Sequence, residues 1–439
     1  MRQLTAIPPM RHSRRTHAPS SRDVAIDIAF VALLPFVQTG ISYWASVATL
    51  ATLLVIVRGA RAIQAGLASE WLWLLALPVM FASVLLEGGG DSAKDLLRIA
   101  REAVFFLLML ALLRGSVRLP PRINERLLIG SVLVFTGCML LYTAMEYVSL
   151  LSGRYIGFPT EVYVQGQDTV PSALTLRYSH VRPAGSYTEP SYLGFVLLSV
   201  LMLALPAPGR RFGYPALVFM VVACGILSQA ASFMLFAGLI GAIVVAQRQS
   251  ARGKILLLPV AIVGFAALLA FGSDAGVLAR VLSGTTAQGD FSVFVRIFGP
   301  AQVLPSFLIE HPLGLPFSRL PEAIAPYTLP LGVPPDQYLM NGLFNLFFEF
   351  GILGFALAFA LLSIRDTLLR TYILSCMLFN GGFLAIDKLA VIGFTVMVYC
   401  AMQRNVEPER KASGGKREPL VLATRRPAVA WPVKGGKAW

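Results

Sequence analysis

The sequence predicts an all-α, polytopic membrane protein of about 12 transmembrane helices with two large extracytoplasmic loops. Three observations carry that prediction. Of 439 residues, 56% are hydrophobic and only 14% are charged, whereas soluble domains carry about 25% charged residues. Mean hydropathy is +0.69, more apolar surface than a water-soluble chain of this length can cover. The apolar residues are also gathered into twelve runs separated by polar connections. This pattern excludes an ordinary soluble enzyme, a disordered chain and a disulfide-rich module. The four cysteines, Cys138, Cys224, Cys376 and Cys400, each sit in an apolar run without metal-ligand spacing. They read as small buried hydrophobes.

Residues 1–23 form a basic tail with Arg2, Arg11, Arg14, Arg15 and Arg22, and no small-residue cleavage site follows. Residues 24–402 form the membrane-embedded domain. Its apolar runs lie at about 24–39, 41–57, 71–87, 99–113, 127–151, 190–206, 213–228, 229–247, 255–272, 341–364, 371–386 and 389–402. Several have 15 to 17 residues. At about 1.5 Å per residue these reach roughly 25 Å, short of the ~30 Å hydrocarbon core. Such spans thin the bilayer locally or pack inside a bundle. Hairpin turns are expected near Gly40, at Ser228-Gln229 and at Asp387-Lys388. Residues 403–439 read as a disordered basic tail, with Gly414-Gly415 and Gly435-Gly436.

Charge sorts the connections into two sides. With both termini cytoplasmic, the inner pieces hold 27 of the 37 basic residues and 7 of the 23 acidic ones. The outer pieces, counted with the span residues nearest them such as Glu146, hold 10 basic and 15 acidic residues, and Asp27 lies within the first span. The net charge of +14 is then a product of topology, in which Lys and Arg collect in cytoplasmic loops, and gives no support to nucleic-acid binding. Asp27 and Glu146 are intramembrane carboxylates, with helix pairing as their simplest role.

Two outer loops stand apart, 152–189 and 273–340, and are read as the cap of an active site. The second is studded with aromatics and prolines. Phe291, Phe294, Val295 and Phe298 share a helical face and predict a short helix lying on the membrane surface. No phosphate-binding glycine motif or His/Cys cluster is present, so neither a cofactor nor a metal is expected.

Three stretches look functional. The first runs from His180 through Arg182 and Tyr187 to Glu189-Pro190, where an outer loop enters a helix. Pro190 suits the first helical turn. Glu189 is either the cap of that helix's positive end or a general base at the membrane boundary. Arg182 is either an interfacial snorkelling arginine or a phosphate ligand. Outer-side cations run against the charge asymmetry, and the planar guanidinium suits phosphate oxygens. The second stretch holds Arg296, His311-Pro-Leu-Gly314 and Arg319. The third opens a late span with Asn341, Asn345 and Glu349 at four-residue spacing. That spacing makes a polar stripe facing the bundle interior, although Asn341 also suits a helix cap.

At these stretches the chain resembles the O-antigen ligase / Wzy-type polysaccharide polymerase superfamily, most nearly its xanthan-type exopolysaccharide polymerases. The marks are R-x-x-G-x-x-x-E-P from Arg182 to Pro190, Arg296 followed by the HPLG turn, and N-x-x-x-E-x-G-I-L-G from Asn345 to Gly354. The resemblance implies a metal-independent glycosyltransferase of the bacterial inner membrane, joining repeat units carried on undecaprenyl diphosphate at the outer face. It implies Arg182 and Arg296 as diphosphate ligands, with Glu189, or second His311, as the base. His180, Tyr187, His311, Arg319, Asn341, Asn345 and Glu349 are the expected substrate-binding residues. Membrane lipid and the flippase, chain-length and export proteins of such a pathway are the implied partners. Ligases of this superfamily carry a histidine near the start of the late helix, where this chain reads Tyr338-Leu-Met-Asn341. The alternatives are a ligase-like glycan transferase to another acceptor, or a secondary transporter.

Overall fold

A computed structural model describes residues 19–42, 45–70, 73, 78, 80–81, 92–154, 156, 182–205, 213–248, 294–328, 334–379 and 381–412. These residues are mostly helical. Helix α1 (Ser21–Leu33) leads through a short 3-10 turn into the hairpin strands β1 (Gly40–Ser42) and β2 (Ala45–Ser46), then into α2 (Val47–Ser69). The expected reversal near Gly40 is this hairpin. Helices α3 (Ser92–Arg118), α4 (Glu125–Leu151), α5 (Pro190–Ala204), α6 (Gly213–Ser228) and α7 (Ala231–Arg248) follow. A π-helical turn, Phe294–Phe298, runs into α8 (Gly299–Glu310), and α9 is Leu320–Thr328. Helices α10 (Gly342–Leu362), α11 (Thr367–Leu378) and α12 (Ile386–Ala412) close the described chain.

Four helices are long and apolar enough to cross a membrane by length and composition: Val47–Ser69, Glu125–Leu151, Gly342–Leu362 and Ile386–Arg404. Pro190–Ala204, Gly213–Ser228, Ser232–Val244 and Thr367–Leu378 are shorter apolar helices. The expected span 255–272 lies wholly, and 71–87 largely, outside the described residues, as do 157–181 of the first outer loop and 273–293 and 329–333 of the second. All four cysteines are free thiols, with Cys224 and Cys376 buried.

Three expectations about local structure are corrected. The last turn occupies the residues between α11 and α12 rather than Asp387-Lys388. Gly381 takes φ +84°, which glycine adopts without steric cost, so both charged residues fall in the first turn of α12. The backbone of α12 also continues to Ala412, past the expected boundary at 403. Gln403, Arg404 and Glu409-Arg-Lys-Ala412 are good helix formers, although Pro408 lies among them, and propensity alone does not account for the extension. The expected surface helix around Phe294 is instead a buried π-turn. Phe294 and Val295 are buried, and the Phe294 ring meets Tyr338 edge-on at 6.3 Å.

The bundle has two distinct ends. At one, Asp27 accepts two hydrogen bonds from Arg58, from Nε at 2.7 Å and Nη2 at 3.2 Å. Arg58 also reaches the Arg122 carbonyl. Arg114 Nη1 donates to the Ser363 carbonyl at 2.7 Å and its Nη2 to that of Ala360 at 3.0 Å. The α1–α2 hairpin, the α6–α7 turn, the α11–α12 turn and the N-termini of α5 and α10 gather at the other end. Helices α2 and α3 touch backbone to backbone: a Cβ at Gly66 would overlap the Ala111 carbonyl. Small residues permit such close approach in membrane bundles.

Candidate active site

The segment between Arg182 and Glu189 is fixed at nearly every residue. The Glu146 carboxylate, at the end of α4, accepts from the backbone N–H groups of Ala184 at 3.1 Å and Gly185 at 2.7 Å. Gly185 takes φ +61°. The buried Tyr187 hydroxyl donates to the Leu34 carbonyl at 3.0 Å. Gln38 Oε1 accepts from both Thr188 N and Thr188 Oγ1 at 3.0 Å. A buried hydrogen bond of this kind contributes about 1 kcal/mol, and a bond to a charged group about 1.5–3. The intramembrane carboxylate Glu146 therefore orders a loop.

Glu189 occupies the cap position of α5 but makes no side-chain capping bond. Its Oε2 accepts from the Ser191 hydroxyl at 2.7 Å and faces Arg296 Nη2 at 3.7 Å. The two side chains remain 30% and 24% exposed, open enough to meet a ligand. Arg296 leaves the π-turn, and its carbonyl accepts from Asn341 Nδ2 at 2.8 Å. Arg182 Nη2 donates to the carbonyl of Gln229 at 3.4 Å, in the α6–α7 turn. Next along that turn, Ala230 packs against Gly194 of α5, as does Phe379. Arg296 thus meets the first turn of α5 through Glu189, while Arg182 is held by the α6–α7 turn, whose Ala230 neighbours α5.

Two neighbours were not anticipated as site residues. Lys388, in the first turn of α12, is buried and donates to the carbonyls of Gly381 at 2.8 Å and Phe379 at 3.2 Å. Its Nζ lies 5.9 Å from the Phe195 ring centroid. Arg296, Glu189, Cys376 and Asp387 are the ionisable groups around it. Asp387 lies beside Tyr192 of α5. The signal for Lys388 was present in the sequence: it is another cation on the predicted outer side.

Several expected site residues stand elsewhere. Tyr187 is committed to the α1 end. Asn341 caps α10, its Oδ1 accepting from Leu343 N at 2.9 Å and Phe344 N at 3.4 Å. His311 ends α8, its ring 5.1 Å from that of Phe307. Arg319 begins the turn into α9, its carbonyl accepting from Ala323 N. Asn345 is buried. Glu349 belongs to a second cluster: Arg98 Nε pairs with it at 3.0 Å and with Glu102 at 3.1 Å. The Arg98 guanidinium covers the Phe317 ring at 3.5 Å. The stripe of Asn341, Asn345 and Glu349 therefore serves different contacts along its length. His180 lies outside the described residues.

Below Glu349, α10 is broken at Gly351, with φ +53°. The HPLG turn fills the break: Leu315 N donates to the Phe348 carbonyl at 3.0 Å, and Ile352 N to that of Pro312 at 2.9 Å. Non-helical backbone at membrane depth is tolerated where protein satisfies the freed groups.

Apolar helices built into a bundle, four of them long and apolar enough to cross a membrane, define the class as a multi-pass membrane protein, with Glu189, Arg296 and Lys388 gathered near the start of α5. The chain belongs to the WcaD colanic acid polymerase family, which matches residues 26–399. That family is a Wzy-type polysaccharide polymerase family, the kind of glycosyltransferase that the motifs resemble. A comparison with curated proteins returns no match.

Proposed function

We propose that the protein polymerises oligosaccharide repeat units carried on undecaprenyl diphosphate, at the outer face of the bacterial inner membrane. Arg182 and Arg296 hold the donor's diphosphate, and Glu189 is the base. The observation that carries this reading is the Glu189–Arg296 pair, 3.7 Å apart and part-exposed, with no side-chain capping bond from Glu189 to α5.

The chemistry follows from charge. The bond between the donor sugar's C1 and the phosphate oxygen breaks, and negative charge develops on the departing diphosphate. Guanidinium groups fixed in place stabilise that charge as it forms, and more so in a partly dry site than in water. The acceptor sugar's hydroxyl oxygen forms the new bond to C1. Its proton passes to the Glu189 carboxylate, and undecaprenyl diphosphate leaves. Orientation is supported by the two ends of the bundle. Arg58, Arg114 and Arg122 mark the end opposite the candidate site, as cytoplasmic arginines would.

The test is deletion of the protein followed by analysis of lipid-linked glycans. A polymerase loss accumulates single repeat units. Accumulated long chains would mean a ligase, and unchanged glycans with a transport defect would mean a transporter; either overturns the reading.

A further inference from the structure

We infer that Asn341 and Lys388 form a buried brace that positions Arg296, so that both are positioning residues for glycan transfer although neither reaches the open side of the site. This inference rests on the proposed role of Arg296.

The connections run in a closed path. Lys388 Nζ gathers two carbonyls of the α11–α12 turn, Phe379 and Gly381. Gly381 pairs with Asn341 as an isolated parallel bridge. The Asn341 amide then divides its work. Its Oδ1 caps α10, while Nδ2 donates to the Arg296 carbonyl at 2.8 Å and to the Leu378 carbonyl at 3.4 Å. Asn341 is fully buried and Lys388 is 2% exposed. Both side chains therefore place their donors on backbone carbonyls, as buried donors must in a dry interior, where an unmade hydrogen bond is costly. Arg296 sits on a π-turn, a form found as short bulges and often at functional sites. The Asn341 bond ties that turn at the residue whose side chain faces Glu189.

The brace also explains the packing around it. A Cβ at Gly342 would lie 2.6 Å from Phe383 N, so α10 starts flush against the α11–α12 turn. A buried ammonium held by two carbonyls keeps a positive charge behind Arg296 without offering it to the ligand.

The two functions of Asn341 can be separated. Asn341→Ser keeps an oxygen that caps α10 but lacks the reach to the Arg296 carbonyl. In membranes supplied with lipid-linked repeat unit extracted from a polymerase-deficient strain, Asn341→Ser lowers the rate about 10-fold at wild-type protein level, since small misplacements at a reacting centre are costly. Placed on Arg296→Lys, the same change costs about 2-fold or less, because residues acting through one group are non-additive. Lys388→Met lowers the rate similarly, and Lys388→Arg, which keeps the donors, restores much of it. Equal losses from Asn341→Ser in both backgrounds, or full activity of Asn341→Ser and Lys388→Met, overturn the brace. Full activity of Arg296→Ala overturns the role of Arg296 itself, a different result.

Discussion

The Glu189 side chain shows how a residue's position and its role can part. The sequence places it before Pro190, where a carboxylate ordinarily caps a helix, and the sequence alone left cap and base open. In the structure it makes no bond to the helix backbone N–H groups and meets the Ser191 hydroxyl and Arg296 instead. Arg182 and Arg296 stand out in the sequence because cations are scarce on the predicted outer side. Lys388 obeys the same logic, but its neighbour Asp387 gives it the look of a polar turn, whereas the turn itself is signalled by Gly381-Gly382. Tyr187 and Asn341 look like site residues in sequence because they fall in the motif stretches; in the structure their polar atoms bond to backbone groups instead. Arg182→Lys is expected to leave membrane levels unchanged and to lower polymer yield at least about 10-fold, since an ammonium cannot reproduce the guanidinium fork. Polymer quantification against protein level checks this, and wild-type yield would show that charge alone suffices at 182.

Helix boundaries read from the sequence agree well where polar residues mark them, as at 213–228, which matches α6. They fail where the chain stays apolar through a change of structure. The break at Gly351 sits inside Glu-Phe-Gly-Ile-Leu-Gly, where nothing polar signals it, and the HPLG turn that fills it is distant in sequence. Both glycines are demanded by backbone geometry. Gly351 has φ +53° and Gly314 φ +77°, and a Cβ at either would meet backbone of the other strand of the contact. Gly351→Ala should therefore cost about 1–3 kcal/mol, read as a lower melting temperature in detergent. An unchanged melting temperature would show that the break is not a fixed feature of α10.

For the molecule, the asymmetric charge of the sequence becomes a bundle with two chemically different ends. Composition and charge point to such a bundle, and the motifs point to a polysaccharide polymerase, with which the family assignment over residues 26–399 agrees. Which helices neighbour one another was not legible, because apolar spans carry almost no pairing information in their residues. The proposed orientation puts Gln302, a polar residue exposed on α8 one turn past the Arg296 π-turn, on the periplasmic side. Gln302→Cys should react with a membrane-impermeant maleimide in spheroplasts, above the background of the parent protein. Reaction only after permeabilisation would invert the topology.

The central claim is that Glu189 and Arg296 act together on a lipid-linked diphosphate, and it is tested most directly by the rate of polymer formation in membranes carrying Glu189→Gln or Arg296→Ala. Supplied with native lipid-linked repeat unit, both variants should be present at wild-type level and be slower by at least about 100-fold, the size expected for losing a general base or a charge-stabilising group. Polymer formed at the wild-type rate by either variant would contradict the account.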